Sequence, residues 1–218
     1  MDLNNALVPK VSVIVPVYRS EAYLERCCRS LFSQTLDAIE YLFILDGPLK
    51  TAEQIISDVF KEYPQRQEWV SILSHTENRG ISYCRQEGHD QARGEYLYHC
   101  DSDDWVDVEM YRKMYDYALD NGSDLVFCDY TKTYGNKNSD CVFRKNITNC
   151  SREAILERLL TSFALNPVWS AMAKRELYGA CVDILDVGLR AVADDGRDLG
   201  IGLIGNELGE HGAEGIVG

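Results

Sequence analysis

The sequence predicts an α/β domain with a mostly parallel central sheet and helices on both faces. Three observations carry that expectation. Apolar, β-branched runs alternate with stretches of helical period from Val11 to Tyr130. Gly, Pro, Asn and Asp punctuate the junctions between them. One run, Glu95-Tyr96-Leu97-Tyr98-His99-Cys100, passes straight into the carboxylates Asp101, Asp103 and Asp104. A strand ending in acidic groups belongs at the carboxyl edge of a sheet, where open α/β sheets bind ligands.

Taken in order, Val11-Ser12-Val13-Ile14-Val15-Pro16-Val17-Tyr18 reads as a buried central strand with Pro16 at its exit. Ser20 is placed to cap a helix whose apolar face is Leu24, Cys27, Cys28, Leu31 and Phe32. Ile39 to Leu45 is a second strand, closed by Asp46-Gly47-Pro48. Thr51 and Gln54 form a capping box for a helix that buries Ile55, Ile56, Val59 and Phe60. Val70 to Leu73 is a short third strand. Asn78-Arg79-Gly80 turns into a helix carrying Arg85, and Arg93-Gly94 leads to the strand before the acidic cluster.

Beyond the cluster, Tyr111, Met114, Tyr115, Ala118 and Leu119 share one helix face, which Asn121-Gly122 closes. Leu125 to Tyr130 is a further strand, and the turn Tyr134-Gly135-Asn136 with Cys141 to Phe143 suggests a hairpin. Ser151 to Leu160 is amphipathic, and Pro167-Val168-Trp169 opens the next element. The part after Tyr178 holds ten of the sixteen glycines and neither an aromatic residue nor a lysine, so a weaker core is expected there. The domain boundaries read as a lead-in over 1–9, a main domain over 10–178 and a Gly-rich segment over 179–218. Gly200-Ile201-Gly202-Leu203-Ile204-Gly205 spells G-x-G-x-x-G, but it follows Gly196-Arg197-Asp198 and no βαβ unit comes after it. A dinucleotide site is therefore not expected.

A net charge of −13 argues against nucleic acid as a partner, and an anionic substrate would need local neutralisation. No apolar run is long enough to span a bilayer, and Met1 to Pro9 lacks the pattern of a signal peptide. The eight cysteines contain no C-x-x-C pair and sit mostly among apolar residues, which suits reduced core thiols in the cytoplasm. The sequons at Asn146 and Asn149 read as chance matches. Three carboxylates packed into four residues repel one another unless a cation lies between them. Oxygen-only ligands suit a hard ion, Mn²⁺ or Mg²⁺. The plainer alternative is a solvated acidic turn before the next helix.

Four pieces, in order, resemble the inverting glycosyltransferases of family 2, which have the GT-A fold. They are Val11 to Tyr18; Leu45-Asp46-Gly47; Asn78-Arg79-Gly80 with Arg85; and Ala92-Arg93-Gly94-Glu95-Tyr96 running on to Asp101-Ser102-Asp103-Asp104. Pro167-Val168-Trp169 with Lys174-Arg175-Glu176-Leu177 is similar to the family's acceptor-side segment. The resemblance implies a nucleotide-sugar donor, with a UDP-sugar expected, and transfer to a hydroxyl of a glycan or lipid-linked acceptor in polysaccharide biosynthesis. It puts Pro16, Tyr18, Asp46, Asn78, Arg85, Asp101 and Ser102 at the donor, with Asp46 reading the base or ribose. Asp101 and Asp103 become the metal-binding D-x-D pair, while Asp104 orients them or caps the helix. His99 and Cys100 read as strand core, and Trp105 as packing. The location implied is the cytoplasm or the inner face of the membrane. Peripheral association through the acceptor, and a homodimer, are both compatible with it.

The family's chemistry also requires a late carboxylate to take the acceptor proton, and here Asp195 is the acid in range. The alternative is that Asp195 lies in a solvated turn and the chain is an incomplete or non-catalytic domain that binds sugar nucleotide. A nucleotidyltransferase of similar fold would need a Gly-rich basic loop after the first strand, where this chain has Pro16-Val17-Tyr18-Arg19-Ser20.

Overall fold

The computed structural model of the chain describes residues 8–134, 137–142, 170–178 and 201–204. Along the chain these form β1 (Val11–Val17), α1 (Glu21–Phe32), β2 (Ile39–Leu45), α2 (Lys50–Phe60), β3 (Val70–Ser74), α3 (Ile81–Gln91), β4 (Tyr96–His99) and α4 (Met110–Asn121). Then come β5 (Leu125–Cys128), β6 (Tyr130–Tyr134), β7 (Lys137–Val142), β8 (Ala171–Lys174), a single helical turn α5 (Arg175–Tyr178) and β9 (Ile201–Ile204). Seven strands make one sheet in the order β3-β2-β1-β4-β8-β5-β9, and β6 and β7 form a separate antiparallel hairpin. The pairs β1/β2, β2/β3, β1/β4 and β5/β9 are parallel, whereas β8 runs antiparallel to β4 and β5. The mixed α/β architecture expected from the sequence is present.

Period-2 alternation in β1 sends Val11, Val13, Val15 and Val17 to one face, where they meet Leu24, Cys27, Cys28, Leu31 and Phe32 of α1. Ala52, Ile56 and Val59 of α2 and Met110, Tyr111, Met114 and Ala118 of α4 complete that core. Ile14, Leu42, Ile44 and Leu97 point to the other face, against Cys84 of α3 and Tyr178 of α5. Phe32 and Tyr41 meet edge to face, with ring centroids 5.4 Å apart.

A polar seam crosses the second face. The Ser12 hydroxyl donates to Glu40 Oε2 at 2.6 Å and accepts from the Gly94 amide at 2.8 Å. Glu40, although buried, is neutralised by the Arg93 guanidinium at 2.6 Å and by the Arg93 amide at 3.0 Å. Gly94 lies so close to β1 that a Cβ there would come within 2.5 Å of the Ser12 nitrogen. The seam sets the approach of the loop before β4 to β1, and so aims the acidic loop that follows β4.

Several local expectations are corrected. Ser20 makes no side-chain cap for α1, because its hydroxyl pairs instead with Ser102 at 2.7 Å. Helix α2 begins at Lys50 with Leu49 at its N-cap, so Thr51 is already inside the first turn and the Thr51/Gln54 box does not form. Leu119 is 53% exposed, at the edge of the face that α4 buries. The strand expected over Leu125 to Tyr130 divides at Asp129: β5 joins the main sheet and Tyr130 begins the hairpin. Within the Gly-rich segment, Ile201–Ile204 is itself a strand paired with β5, with Leu125 opposite Ile201. Cys27, Cys28, Cys84 and Cys100 are free, buried thiols, and Cys128 is buried as well. No helix among the described residues is long and apolar enough to cross a membrane.

Candidate functional site

The chain adds β2 and β3 on one side of β1 and then returns to place β4 on the other. Beyond the carboxyl ends of β1 and β4 this reversal leaves the crevice where open α/β sheets take ligands. A cleft of about 440 Å³ opens there. It is lined by Pro16, Tyr18, Ser20 and Tyr23 after β1, Asp46 after β2, Asn78, Gly80, Ile81 and Cys84 at the start of α3, and Asp101, Ser102 and Asp103 after β4. Seven residues singled out from the sequence, Pro16, Tyr18, Asp46, Asn78, Asp101, Ser102 and Asp103, therefore share one cavity.

Asp46 is 3% exposed and organises one wall. Its Oδ2 accepts from Asn78 Nδ2 at 2.8 Å and the Gly80 amide at 3.0 Å, and its Oδ1 from the Arg79 amide at 2.6 Å. Gly80 has φ +89, a conformation that side chains rarely adopt, and this lets the turn present both amides to one carboxylate. Burial alone would raise the Asp46 pKa, but the Arg79 and Gly80 amides and His75 outweigh it and hold the carboxyl below its ordinary range. The negative charge at this wall is thus fixed in place.

The opposite wall is the acidic loop. Arg85 does not line the cleft; its Nη2 bonds Asp101 Oδ1 at 3.1 Å, joining α3 to the loop after β4. Burial raises the Asp101 pKa, offset in part by Arg85. Asp104 is buried, its Oδ2 has no hydrogen-bond partner, and burial followed by the charges of Asp101 and Asp103 pushes it up to about 8. Asp103 is exposed at the cleft.

These observations test the loop as a cation site. Three carboxylates with oxygen donors only, one of them holding a buried oxygen without a partner, fit a hard divalent ion. Asp101 and Asp103 face the cleft, and Asp104 lies behind them.

Other contacts hold the walls and were not legible locally. Ser20 and Ser102, hydroxyl to hydroxyl at 2.7 Å, tie the loop after β1 to the acidic loop. The Arg26 guanidinium lies over the Trp105 ring at 3.5 Å and donates to the Asp103 carbonyl at 3.2 Å. His99 and Cys100 are buried core, as expected. His75, which the sequence reading passed over, stands between Asp46 (3.4 Å) and Glu87 (2.6 Å). Its signal was positional: it follows β3 directly and so reaches the same sheet edge as Asp46 and Asp101. Asp195 and Pro167-Val168-Trp169 lie outside the described residues.

Comparison with known proteins gives a consistent result. The family model described as glycosyl transferase family 2 matches residues 12–178. The uncharacterized glycosyltransferase EpsJ of Bacillus subtilis is 28% identical over 192 residues, covering 86% of this chain and 54% of that protein. TarS of S. aureus (residues 1–349, in complex with UDP-GlcNAc) superposes with a TM-score of 0.67 at 19% identity, covering 93% of this chain and 60% of that 1–349 chain. The mannosyltransferase PcManGT of Pyrobaculum calidifontis, in complex with GDP-Man and Mn²⁺, gives 0.61 at 17% identity, over 94% and 58% of the two chains. The fold is that of these GT-A glycosyltransferases. The chain spans about half the length of the curated relatives it matches.

Proposed function

The chain belongs to glycosyltransferase family 2, and from that premise we propose that it transfers a sugar, with inversion, from a nucleotide-sugar donor to an acceptor hydroxyl. A UDP-sugar is the donor proposed, and a hexose or N-acetylhexosamine the group moved. The acceptor is a glycan or a lipid-linked glycan of polysaccharide biosynthesis, reached from the cytoplasm or at the inner face of the membrane. One observation carries the reading: the residues picked out from the sequence along β1, β2, α3 and β4 converge on a single cleft at the switch point of the sheet.

In this reading each wall has a task. Asp46, held by the Asn78-Arg79-Gly80 turn, is a fixed acceptor for a ring N–H or ribose hydroxyl of the nucleotide. Pro16 and Tyr18 form the side against which the nucleotide packs, and Ser102 supports the acidic loop through Ser20. Asp101 and Asp103 hold Mn²⁺ or Mg²⁺, which when bound neutralises charge on the leaving diphosphate. Arg85 is paired with Asp101 and offers a second positive charge close to the same place. Asp195 is proposed to accept the acceptor's proton.

Calorimetry with UDP tests the donor site. We expect measurable binding with Mn²⁺ or Mg²⁺ and much weaker binding in EDTA, since a protein of net charge −13 repels a bare diphosphate. Equal affinity in the two conditions would remove the metal from the proposal.

A further inference from the structure

A second set of potential ligands lies at the back of the cleft, apart from the acidic loop. Asp46 (after β2), His75 (after β3) and Cys84 (in α3) each offer one ligand atom, and the three atoms lie within 4.8 Å of one another. Ligands around a tetrahedral zinc ion stand about 3.5 Å apart, so small side-chain rotations close the set. Among the described residues no other group of three His, Cys, Asp or Glu side chains converges this closely, the acidic loop included.

The surroundings favour a metal over a chance cluster. Glu87 accepts from His75 Nε2 at 2.6 Å, which fixes the ring and leaves Nδ1 facing Asp46 Oδ1 at 3.4 Å. A carboxylate behind the histidine, on the ring nitrogen away from the metal, is the usual way a zinc-binding imidazole is oriented. Asp46 is in turn held by the Asn78 side chain and the Arg79 and Gly80 amides, and metal-binding carboxylates are commonly hydrogen-bonded in this way. Cys84 is fully buried yet borders the cleft, so an ion can enter from that side while the thiol is kept from bulk solvent. A mixed O, N, S set selects a borderline ion such as Zn²⁺ over Mg²⁺, which prefers oxygen alone.

We infer that Asp46, His75 and Cys84 form a zinc-class site at the back of the cleft, with Glu87 orienting His75 and a fourth position open to the cavity. Binding releases the Cys84 proton to solvent, because a metal-bound thiol is deprotonated.

The test uses the full chain stripped with EDTA and titrated with Zn²⁺ alone by calorimetry, and with Co²⁺ as a spectroscopic stand-in. Expected are one tight Zn²⁺ site and, with Co²⁺, a sulfur-to-cobalt charge-transfer band that Zn²⁺ abolishes. Cys84→Ser should remove the band. Glu87→Gln, at a partly exposed side chain, should keep the fold and weaken Zn²⁺ about 10–100-fold. Asp103→Asn should leave Zn²⁺ affinity unchanged, which separates this site from the acidic loop. Absence of the band in the wild-type chain, or its survival in Cys84→Ser, overturns the inference. So does wild-type Zn²⁺ affinity in Glu87→Gln, which still decides the matter if Cys84→Ser does not fold. UDP binding with Mg²⁺ is read on the zinc-free chain, because Asp46 serves both proposals, so the donor-site proposal can fail while the zinc site stands, and the reverse.

Discussion

Replacing Gly94 by alanine probes the contact that aims the acidic loop. An added Cβ would stand 2.5 Å from the Ser12 nitrogen, 2.7 Å from Ser12 Oγ and 2.8 Å from the Val11 carbonyl carbon. Comfortable separations for such pairs begin near about 3.4 Å, so β1 and the segment before β4 must part by roughly 0.5–1 Å. Two of the three obstacles are backbone atoms of a central strand, which no rotamer change moves. Parting also stretches the Gly94 amide bond to Ser12 and disturbs the buried Glu40 that Ser12 and Arg93 satisfy. Overpacking of this kind costs about 1–3 kcal/mol, and a weakened bond in a buried charged network adds about 1 kcal/mol. We therefore expect Gly94→Ala to lose roughly 2–4 kcal/mol in urea unfolding at constant m-value.

Gly88→Ala is the control, because the three atoms nearest its added Cβ are all side-chain atoms of Ile14. In an Ile14→Ala background that obstacle is gone, and Gly88→Ala should stabilise α3 by about 1 kcal/mol through helix propensity. In a Ser12→Ala background Gly94→Ala should remain destabilising, because the backbone obstacles persist. A Gly94→Ala protein within 1 kcal/mol of wild type, or one fully rescued by Ser12→Ala, would refute the reasoning.

Three further outcomes are expected. Asp103→Asn should lower turnover by about two orders of magnitude while the protein stays folded, since a charge that repels Asp101 is removed; a variant that unfolds but keeps its activity per folded molecule would make the loop structural. In EDTA, Asp104→Asn should be close to wild type in stability near pH 4.5 and more stable by about 2–5 kcal/mol at pH 8.5. The sign follows because the folded state keeps its proton up to about pH 8 while the unfolded chain loses it near its ordinary value of 3.8, so ionisation destabilises the fold as pH rises between them; a difference that is flat with pH refutes it. Asp195→Ala should abolish transfer to acceptor and leave UDP affinity intact, as measured by product formation beside calorimetry; retained transfer would remove Asp195 as the base.

The sequence by itself determined the parts whose signal is local. Alternation in Val11–Val17, the apolar stripe of Glu21–Phe32 and the run Ile39–Leu45 identify β1, α1 and β2, because a side chain's face follows directly from the period of its element. The apolar-to-acidic transition at His99 to Asp104 likewise marked the carboxyl edge of the sheet and the part of the cleft lined by Asp101, Ser102 and Asp103, while Pro16, Tyr18, Asp46 and Asn78 came from the resemblance to the family. Weaker signals failed where neighbours in space overrode them. Ser20 looked like a cap until Ser102, 82 residues away, took its hydroxyl. Ile201–Ile204, set among glycines, reads as a strand only beside β5.

Tertiary structure alone decided the partners of the charged groups. Asp46 serves the Asn78-Arg79-Gly80 turn, Arg85 reaches Asp101, and His75 joins Asp46 to Glu87 because strand order brings those loops to one edge. Burial is encoded in periodicity along the chain, whereas the pairing of buried charges depends on separations of a few ångströms between elements, which only the assembled sheet sets.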